Sequence, residues 1–381
     1  MQFGEVIQWR HDLHRIPELG LQEHRTADYL AGVLDGLGLR VTRNVGGTGI
    51  VATLRNGDGP AVGLRADMDG LPLTERGDRE YRSRHDGVMH ACGHDGHMAM
   101  LLGAAAVLVE ERGFDGTVEM IFQPAEEHGL GAKAMLADGL LERFPVQAMF
   151  GIHNMPGHAL GHLATRAGGL MAGEDNFEIR VVGRGGHAAR PQMVVDPIVI
   201  AAEIVLALQT VVARTVDPAA PAVVSCTEIT TDGARNAIPG EVVIRGDTRS
   251  FSDEVRAVIE ASIRRLADGI SAAHGGRAVV RYTHEFEPTV NDPRAVAAAL
   301  NAARITVPAE HVDGDTPPWT ASEDFGAFLR EVPGCLMLLG NGADSTPLHS
   351  PDYDFDDGAL EVGVRYYVNL VRGVVAGPSA S

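Results

Sequence analysis

Nine residues, Met89-His90-Ala91-Cys92-Gly93-His94-Asp95-Gly96-His97, hold three histidines, a cysteine and an aspartate. Thiolate and imidazole together favour borderline-soft divalent ions, zinc foremost. The segment opens onto the apolar run 98–109, which reads as a buried helix. Polar groups gathered at the mouth of such a helix suggest a metal ion.

More residues of this kind follow runs that read as strands. The run 61–66 leads into Asp67-Met68-Asp69, 117–122 into Gln123-Pro124-Ala125-Glu126-Glu127, and 148–152 into His153-Asn154. Cys335-Leu336-Met337-Leu338-Leu339 leads, through a glycine-containing loop, to His349-Ser350-Pro351. Ligands of open α/β sheets bind outside the carboxyl ends of the strands. Alone, His153 reads as a satisfied core residue and Glu126-Glu127 as a solvated loop; their coincidence at strand ends favours a site. Cys92, His94, His153, His349 and a glutamate exceed what one tetrahedral zinc takes. Two ions sharing a bridging ligand would use them all. One of the adjacent glutamates can bind metal while the other takes a proton from water.

The elements that must position these residues alternate in the first half of the chain. Helices are expected at 26–37, 96–112 and 132–138, and strands at 50–54, 61–66, 117–122 and 148–152. Such alternation implies an α/β layer on a mainly parallel sheet. From about residue 175 the order becomes strand 177–182, helix 196–214, strands 222–230 and 241–248, helix 253–267 and strand 277–283. That β-α-β-β-α-β order is ferredoxin-like. The expected fold is α/β, with a discontinuous catalytic metal-binding domain (1–174 plus 290–381) and an inserted α+β domain (175–289). No repeat is present, and the Gly377–Ser381 tail is the one low-complexity stretch.

Bulk properties exclude some partners. A formal charge of −19 offers no basic stripe for phosphates, so no nucleic acid is expected. No run of about 18 apolar residues is unbroken, so no membrane span is expected. The first seven residues lack a signal-peptide pattern. Three cysteines, Cys92, Cys226 and Cys335, make no disulfide framework and point to a reducing, cytoplasmic setting. Cys226 and Cys335 read as packing residues.

An ordered set of motifs spans nearly the whole chain. It comprises Leu13-His14-Arg15-Ile16-Pro17-Glu18, Arg65-Ala66-Asp67-Met68-Asp69-Gly70-Leu71-Pro72, the Met89–Asp95 segment, and Phe122-Gln123-Pro124-Ala125-Glu126-Glu127. Gly151-Ile152-His153-Asn154, Gly185-Gly186-His187-Ala188-Ala189, Asn236-Ala237-Ile238-Pro239, Ser322-Glu323-Asp324-Phe325 and Leu348-His349-Ser350-Pro351 complete it. In these the chain resembles the M20 metallopeptidase family, in the amidohydrolase branch that includes hippurate hydrolases, N-acyl-amino-acid amidohydrolases and auxin-conjugate hydrolases. Gly70, where alanine is usual, is a departure that touches no ligand.

The resemblance implies metal-dependent hydrolysis of N-acyl amino acids by a homodimer or larger homo-oligomer. Cys92, His94, Glu127, His153 and His349 would hold two divalent ions, with Cys92 as the bridge where peptidase branches use aspartate. Zinc suits the thiolate, with manganese, nickel or cobalt as alternatives. Glu126 would be general base and acid, and Asp69 a carboxylate that orients a ligand. The inserted domain would act as lid and dimer contact and supply His187 to the partner's site. Asn236 and Arg249 would bind the substrate carboxylate, Arg249 bidentately. His90, Asp95 and His97 are expected to be structural, occupied by hydrogen bonds at the helix mouth. The rival readings are a dipeptidase or carboxypeptidase of the same family, and a catalytically silent metal- or ligand-binding protein.

Overall fold

The computed structural model describes residues 3–375; Met1, Gln2 and residues 376–381, which include the Gly377–Ser381 tail, lie outside the described residues. The chain folds as two compact units, one of residues 3–170, 289–318 and 323–375, the other of residues 171–288 and 319–322. The second unit thus begins four residues before the expected position and recruits a short return segment. The Trp319 and Ala321 carbonyls accept the Ala172 N–H there, both at 3.0 Å.

The first unit is built on an eight-stranded sheet. At its centre the strands Gly116–Gln123, Ala61–Asp67, Ala148–Met155 and Gly334–Gly340 lie side by side and parallel. These strands are buried along nearly their whole length, as expected where helices cover both faces. Antiparallel pairing enters toward the edges, through Gly49–Asn56 and Arg40–Val45 on one side and Leu163–Ala164 on the other. Parallel register brings the carboxyl ends of the central strands to one edge, so Asp67, Gln123 and Asn154 finish near one another although they are far apart in sequence.

The helix His94–Glu111 runs behind this edge. Fourteen of its eighteen residues are buried, so it has no solvent stripe, as a run of alanine, leucine and methionine predicts. It begins two residues earlier than the sequence suggests, because Gly93 at φ 84° turns the chain into the helix directly after Cys92. A Cβ on Gly93 would lie 2.4 Å from Asn154 Nδ2 and 2.5 Å from the Tyr353 hydroxyl. Only glycine fits that turn.

A helix not expected from the sequence, Phe3–His14, packs on the same helix and carries the wholly buried Arg10 and His14. His14 Nδ1 lies 2.9 Å from Asp95 Oδ2 and His14 Nε2 lies 3.3 Å from Glu75 Oε1, while Arg10 Nε is 3.3 Å from the same Asp95 oxygen. Asp95 is therefore held by a buried ion pair rather than by the helix mouth alone. Burial opposes a charge on His14, but Asp95 and Glu75 outweigh it and lift its pKa to about 9. A folded-state pKa above the unfolded value stabilises fully below about 6.5 and loses that contribution as pH rises through 9. The free energy of urea unfolding should therefore fall between pH 6.5 and 9.5, by an amount on the order of 3 kcal/mol. His14→Gln should flatten that slope; an unchanged slope would count against this ion pair as its source.

The second unit carries a four-stranded antiparallel sheet in the order Ala222–Thr231, Glu241–Ser250, Gly173–Val182, Arg277–Phe286. The helices Pro197–Thr210 and Asp253–Ala273 pack on it around Ile179, Val181, Ile204, Leu208, Ile259 and Ile263. This is the ferredoxin-like arrangement. By length and composition alone, the run Pro197–Thr215 could cross a membrane, with mean hydropathy 1.8. Glu203 and Gln209 interrupt it in sequence. Its Ile200, Ile204 and Leu208 enter the core of the unit, while Ile198, Val199 and Leu206 are exposed.

Candidate metal centre

The carboxyl edge of the first unit gathers donor atoms from four separate parts of the chain. The Cys92 thiol and the His94 and His153 rings each offer a ligand atom, all within 4.8 Å of one another. Cys92, Glu127 and His349 form a second group on the same criterion, and His94, Glu126 and Glu127 a third. Cys92 Sγ lies 3.5 Å from His153 Nε2, and Glu127 Oε1 lies 3.4 Å from His349 Nε2 and 3.9 Å from His94 Nε2. Cys92 thus belongs to the first two of these groups.

Hydrogen bonds around the edge decide which atoms face inward. His94 Nδ1 donates to the Asp69 carbonyl at 2.9 Å, which leaves Nε2 buried without a partner. His153 Nδ1 donates to the Asn154 carbonyl at 2.7 Å, so its Nε2 faces the thiol. Asp69 Oδ2 accepts the Glu127 N–H at 3.1 Å. Its carbonyl and carboxylate therefore brace two different donors. Fixing one ring nitrogen so that the other serves as a ligand is the usual outer support of metal sites. His94 Nε2 and Glu127 Oε1 are buried atoms that, among the described residues, have ion-pair neighbours but no hydrogen bond, which fits a bound cation, since such atoms are otherwise costly.

The electrostatics point the same way. Burial opposes a charge on His94, yet Asp67 and Asp69 hold its pKa up at about 10. Burial, with His97 beside it, lowers His153 to about 4. Burial and the negative charges of Glu127 and Glu126 push the Cys92 thiol well above its ordinary value. The two glutamates separate. Burial, Glu323 and Glu127 raise Glu126 well above the usual carboxylate range. Burial also acts on Glu127, but His349 and His94 outweigh it and lower this carboxyl. Two carboxyls with opposite shifts are suited to different tasks.

Backbone geometry separates the pair. Ala125, immediately before them, sits in the left-handed region at φ 48°, ψ 44°, a conformation that costs an alanine roughly 1–2 kcal/mol. His349 is likewise left-handed at φ 61°, with its N–H donating to the Ala91 carbonyl at 2.8 Å. Strain of this kind persists where surrounding contacts impose it, often at functional sites.

Asp67 and His97 also lie close to His94, within 4.8 Å by their ligand atoms. Both are already engaged. His97 Nδ1 meets Asp67 Oδ1 at 2.7 Å, its Nε2 accepts the Asn154 N–H at 2.8 Å, and Asp67 Oδ2 pairs with Arg65 at 2.8 Å. His97 thus makes bonds to strand ends rather than to its own helix mouth. His90 is buried, and among the described residues neither ring nitrogen has a hydrogen-bond partner.

A network that sequence reasoning assigned no role lies behind Glu126. The wholly buried Arg65 binds Gln123 at 2.7 Å, Asp67 and Glu323 at 2.8 Å and Asp324 at 3.0 Å. One guanidinium faces three carboxylates, and the Asp324 N–H donates to Glu126 Oε1 at 3.4 Å. Burial, with Glu323 nearby, raises Asp324 to about 7 against the pull of Arg65. Both motifs were visible in sequence; 258 residues separate Arg65 from Glu323.

His187, Asn236 and Arg249 belong to the second unit. His187 is exposed on a two-residue strand paired with Ala237–Ile238. Its Nδ1 accepts the Ala189 N–H at 3.0 Å, which makes Nε2 the proton-bearing nitrogen. The carbonyl of exposed Asn236 accepts the Ala188 N–H at 3.0 Å. Arg249 is engaged more than expected: Glu174 and Asp247 each approach it at 2.7 Å, and its Nη1 also reaches the Ser322 hydroxyl.

Residues 63–373 match the profile of peptidase family M20/M25/M40. The chain belongs to this family. Among its relatives, a hippurate hydrolase of Campylobacter jejuni is 38% identical over 368 residues, 96% of either chain. Thermostable carboxypeptidase 2 of Saccharolobus solfataricus is 38% identical, over 96% of this chain and 94% of its own. The YXEP protein of Bacillus subtilis, described as a dinuclear metal-binding peptidase of the M20 family, superposes with a TM-score of 0.86 at 33% identity over 98% of both chains.

Proposed function

We propose that this protein hydrolyses the amide bond of N-acyl amino acids, releasing a carboxylic acid and a free amino acid, with two divalent ions at the carboxyl edge of the first unit. The observation that carries this reading is one edge where five donor side chains converge, all but the exposed His349 buried or half-buried, and where the donor Glu127 and its neighbour Glu126 have opposite shifts in proton affinity. Cys92, His94 and His153 would hold one ion and Cys92, Glu127 and His349 the other. Zinc suits the thiolate, and manganese, nickel or cobalt are also compatible. Bound ions would supply Lewis acidity to the amide carbonyl and to water. Glu126 holds the proton that moves: its carboxylate accepts it from water and its carboxyl returns it to the leaving amine.

The second unit serves, in this reading, as lid and dimer contact. Exposed Ile198, Val199 and Leu206 on one helix, and the edge strand Ala222–Thr231 with its exposed second half, support a homodimer. The His187 Nε2–H would steady the oxyanion in the partner's site. Asn236 and Arg249 would receive the substrate carboxylate, Arg249 through Nη2, which takes no part in the contacts above. The three cysteines are free, which suits the cytoplasm.

The carboxypeptidase relative at 38% identity favours one second reading, hydrolysis of peptides. Metal-loaded protein should release amine from acetyl-, benzoyl- or indoleacetyl-amino acids and leave plain dipeptides largely intact. Preference for dipeptides would establish the second reading, and release from no substrate would sink both.

A further inference from the structure

Glu23 lies at the start of the helix His24–Gly36, where a side chain ordinarily caps its own helix; this one makes no such bond. It reaches instead across to the turn before the glutamate pair. Its Oε1 accepts the Ala125 N–H at 2.8 Å and its Oε2 accepts the Thr48 hydroxyl. Glu23 is wholly buried and, among the described residues, makes no ion pair. A buried carboxyl with only neutral partners is hard to explain as packing, since an apolar side chain of similar volume would cost less there.

The surroundings of Glu23 press on the same turn. A Cβ on Gly20 would meet Ala125 Cβ at 2.9 Å and His128 Nδ1 at 2.8 Å, so the loop before Glu23 touches the turn directly. The Glu18 carbonyl accepts the Gly70 N–H at 2.8 Å, next to Asp69. On the other side, the Ala125 carbonyl accepts the N–H groups of Leu130 and Gly131 at 3.3 and 3.1 Å. The left-handed residue is thus held at both of its polar ends.

We propose that Glu23 is a positioning residue: its carboxyl, bridging Thr48 and the Ala125 amide, holds the left-handed turn that sends Glu126 and Glu127 in different directions. This rests on the reading of Glu126 as proton carrier and Glu127 as metal ligand. Glutamine can reproduce both bonds, accepting from Ala125 and donating to Thr48. Methionine fills the volume and makes neither.

The test compares wild type, Glu23→Gln and Glu23→Met for zinc affinity of the metal-free protein by competition, and for kcat and KM when loaded. Glu23→Met should weaken zinc binding roughly 10- to 100-fold and lower kcat about 10²-fold with little change in KM. Glu23→Gln should stay near wild type in all three. Glycine adopts positive φ freely, so in an Ala125→Gly background the Glu23→Met losses should shrink. A role confined to Thr48 or to the helix would leave them as large. If Glu23→Met fails to fold, Thr48→Val takes its place, with the same losses expected in smaller size. Wild-type zinc affinity and kcat in the folded variant would overturn the proposal. Should wild type hydrolyse no N-acyl amino acid while Glu23→Met still loses zinc, the positioning role stands and the proposed function falls.

Discussion

Replacing Glu126 by glutamine should lower kcat about 10²–10⁴-fold, the usual contribution of a positioned acid–base group, while the protein keeps its full metal content. Glutamine preserves the shape of the side chain and can still accept the Asp324 N–H that reaches Glu126 Oε1. What it cannot do is hold a transferable proton. The raised proton affinity of Glu126 comes first from burial and then from Glu323 and Glu127, none of which the substitution removes. The acidic limb of the kcat/KM profile should therefore disappear from the residual activity, with kcat and kcat/KM falling together. Glu127→Gln should behave differently, because a ligand lost there appears first as lost metal. Near-normal turnover in Glu126→Gln, or metal loss equal to that of Glu127→Gln, would reverse the two roles.

The α/β layering and the ferredoxin-like order were legible because apolar runs of strand and helix length are separated by clear breaks. The donors were legible for a related reason: His153 directly follows a strand run, Glu126 and Glu127 follow one through a short turn, and Cys92 and His94 stand just before the buried helix, whereas His349, a loop away from its strand, is found through its motif. The Phe3–His14 helix was not, since Arg10, His11 and His14 dilute its apolar pattern and their partners Asp95 and Asp354 are remote. Arg65 reads as a strand interruption until Glu323 and Asp324 are brought to it by the fold. Glu23 looks like an ordinary helix-start residue, and only the left-handed turn at Ala125 shows why its side chain turns away. Arg249 is the reverse case. Its type suits a carboxylate ligand, but strand register sets Glu174 opposite it and alternation sets Asp247 on the same face, so acidic groups already occupy it.

Cys92, proposed as the shared ligand, should show that role most sharply in the protons released when metal binds. Its thiol is held protonated by burial and by Glu127 and Glu126, and His94 is held protonated up to about pH 10 by Asp67 and Asp69. A divalent ion must displace both protons, since only thiolate and neutral imidazole are ligands. Zinc affinity should then rise with pH by about tenfold per unit for each proton released, up to the pKa of the group that loses it. Calorimetry in buffers of different ionisation enthalpy should count those protons directly. Cys92→Asp substitutes a group whose ordinary pKa lies well below that of a thiol, so it should keep two ions and much of the activity while releasing fewer protons near neutral pH. Cys92→Ala removes the atom common to the Cys92, His94, His153 group and the Cys92, Glu127, His349 group. Its metal content should fall to one ion or none, and turnover by on the order of 10²–10³-fold, as expected when several kcal/mol of Lewis-acid stabilisation are lost. Two tightly held ions in Cys92→Ala, or an unchanged proton count in Cys92→Asp, would show that the thiol is not the bridge.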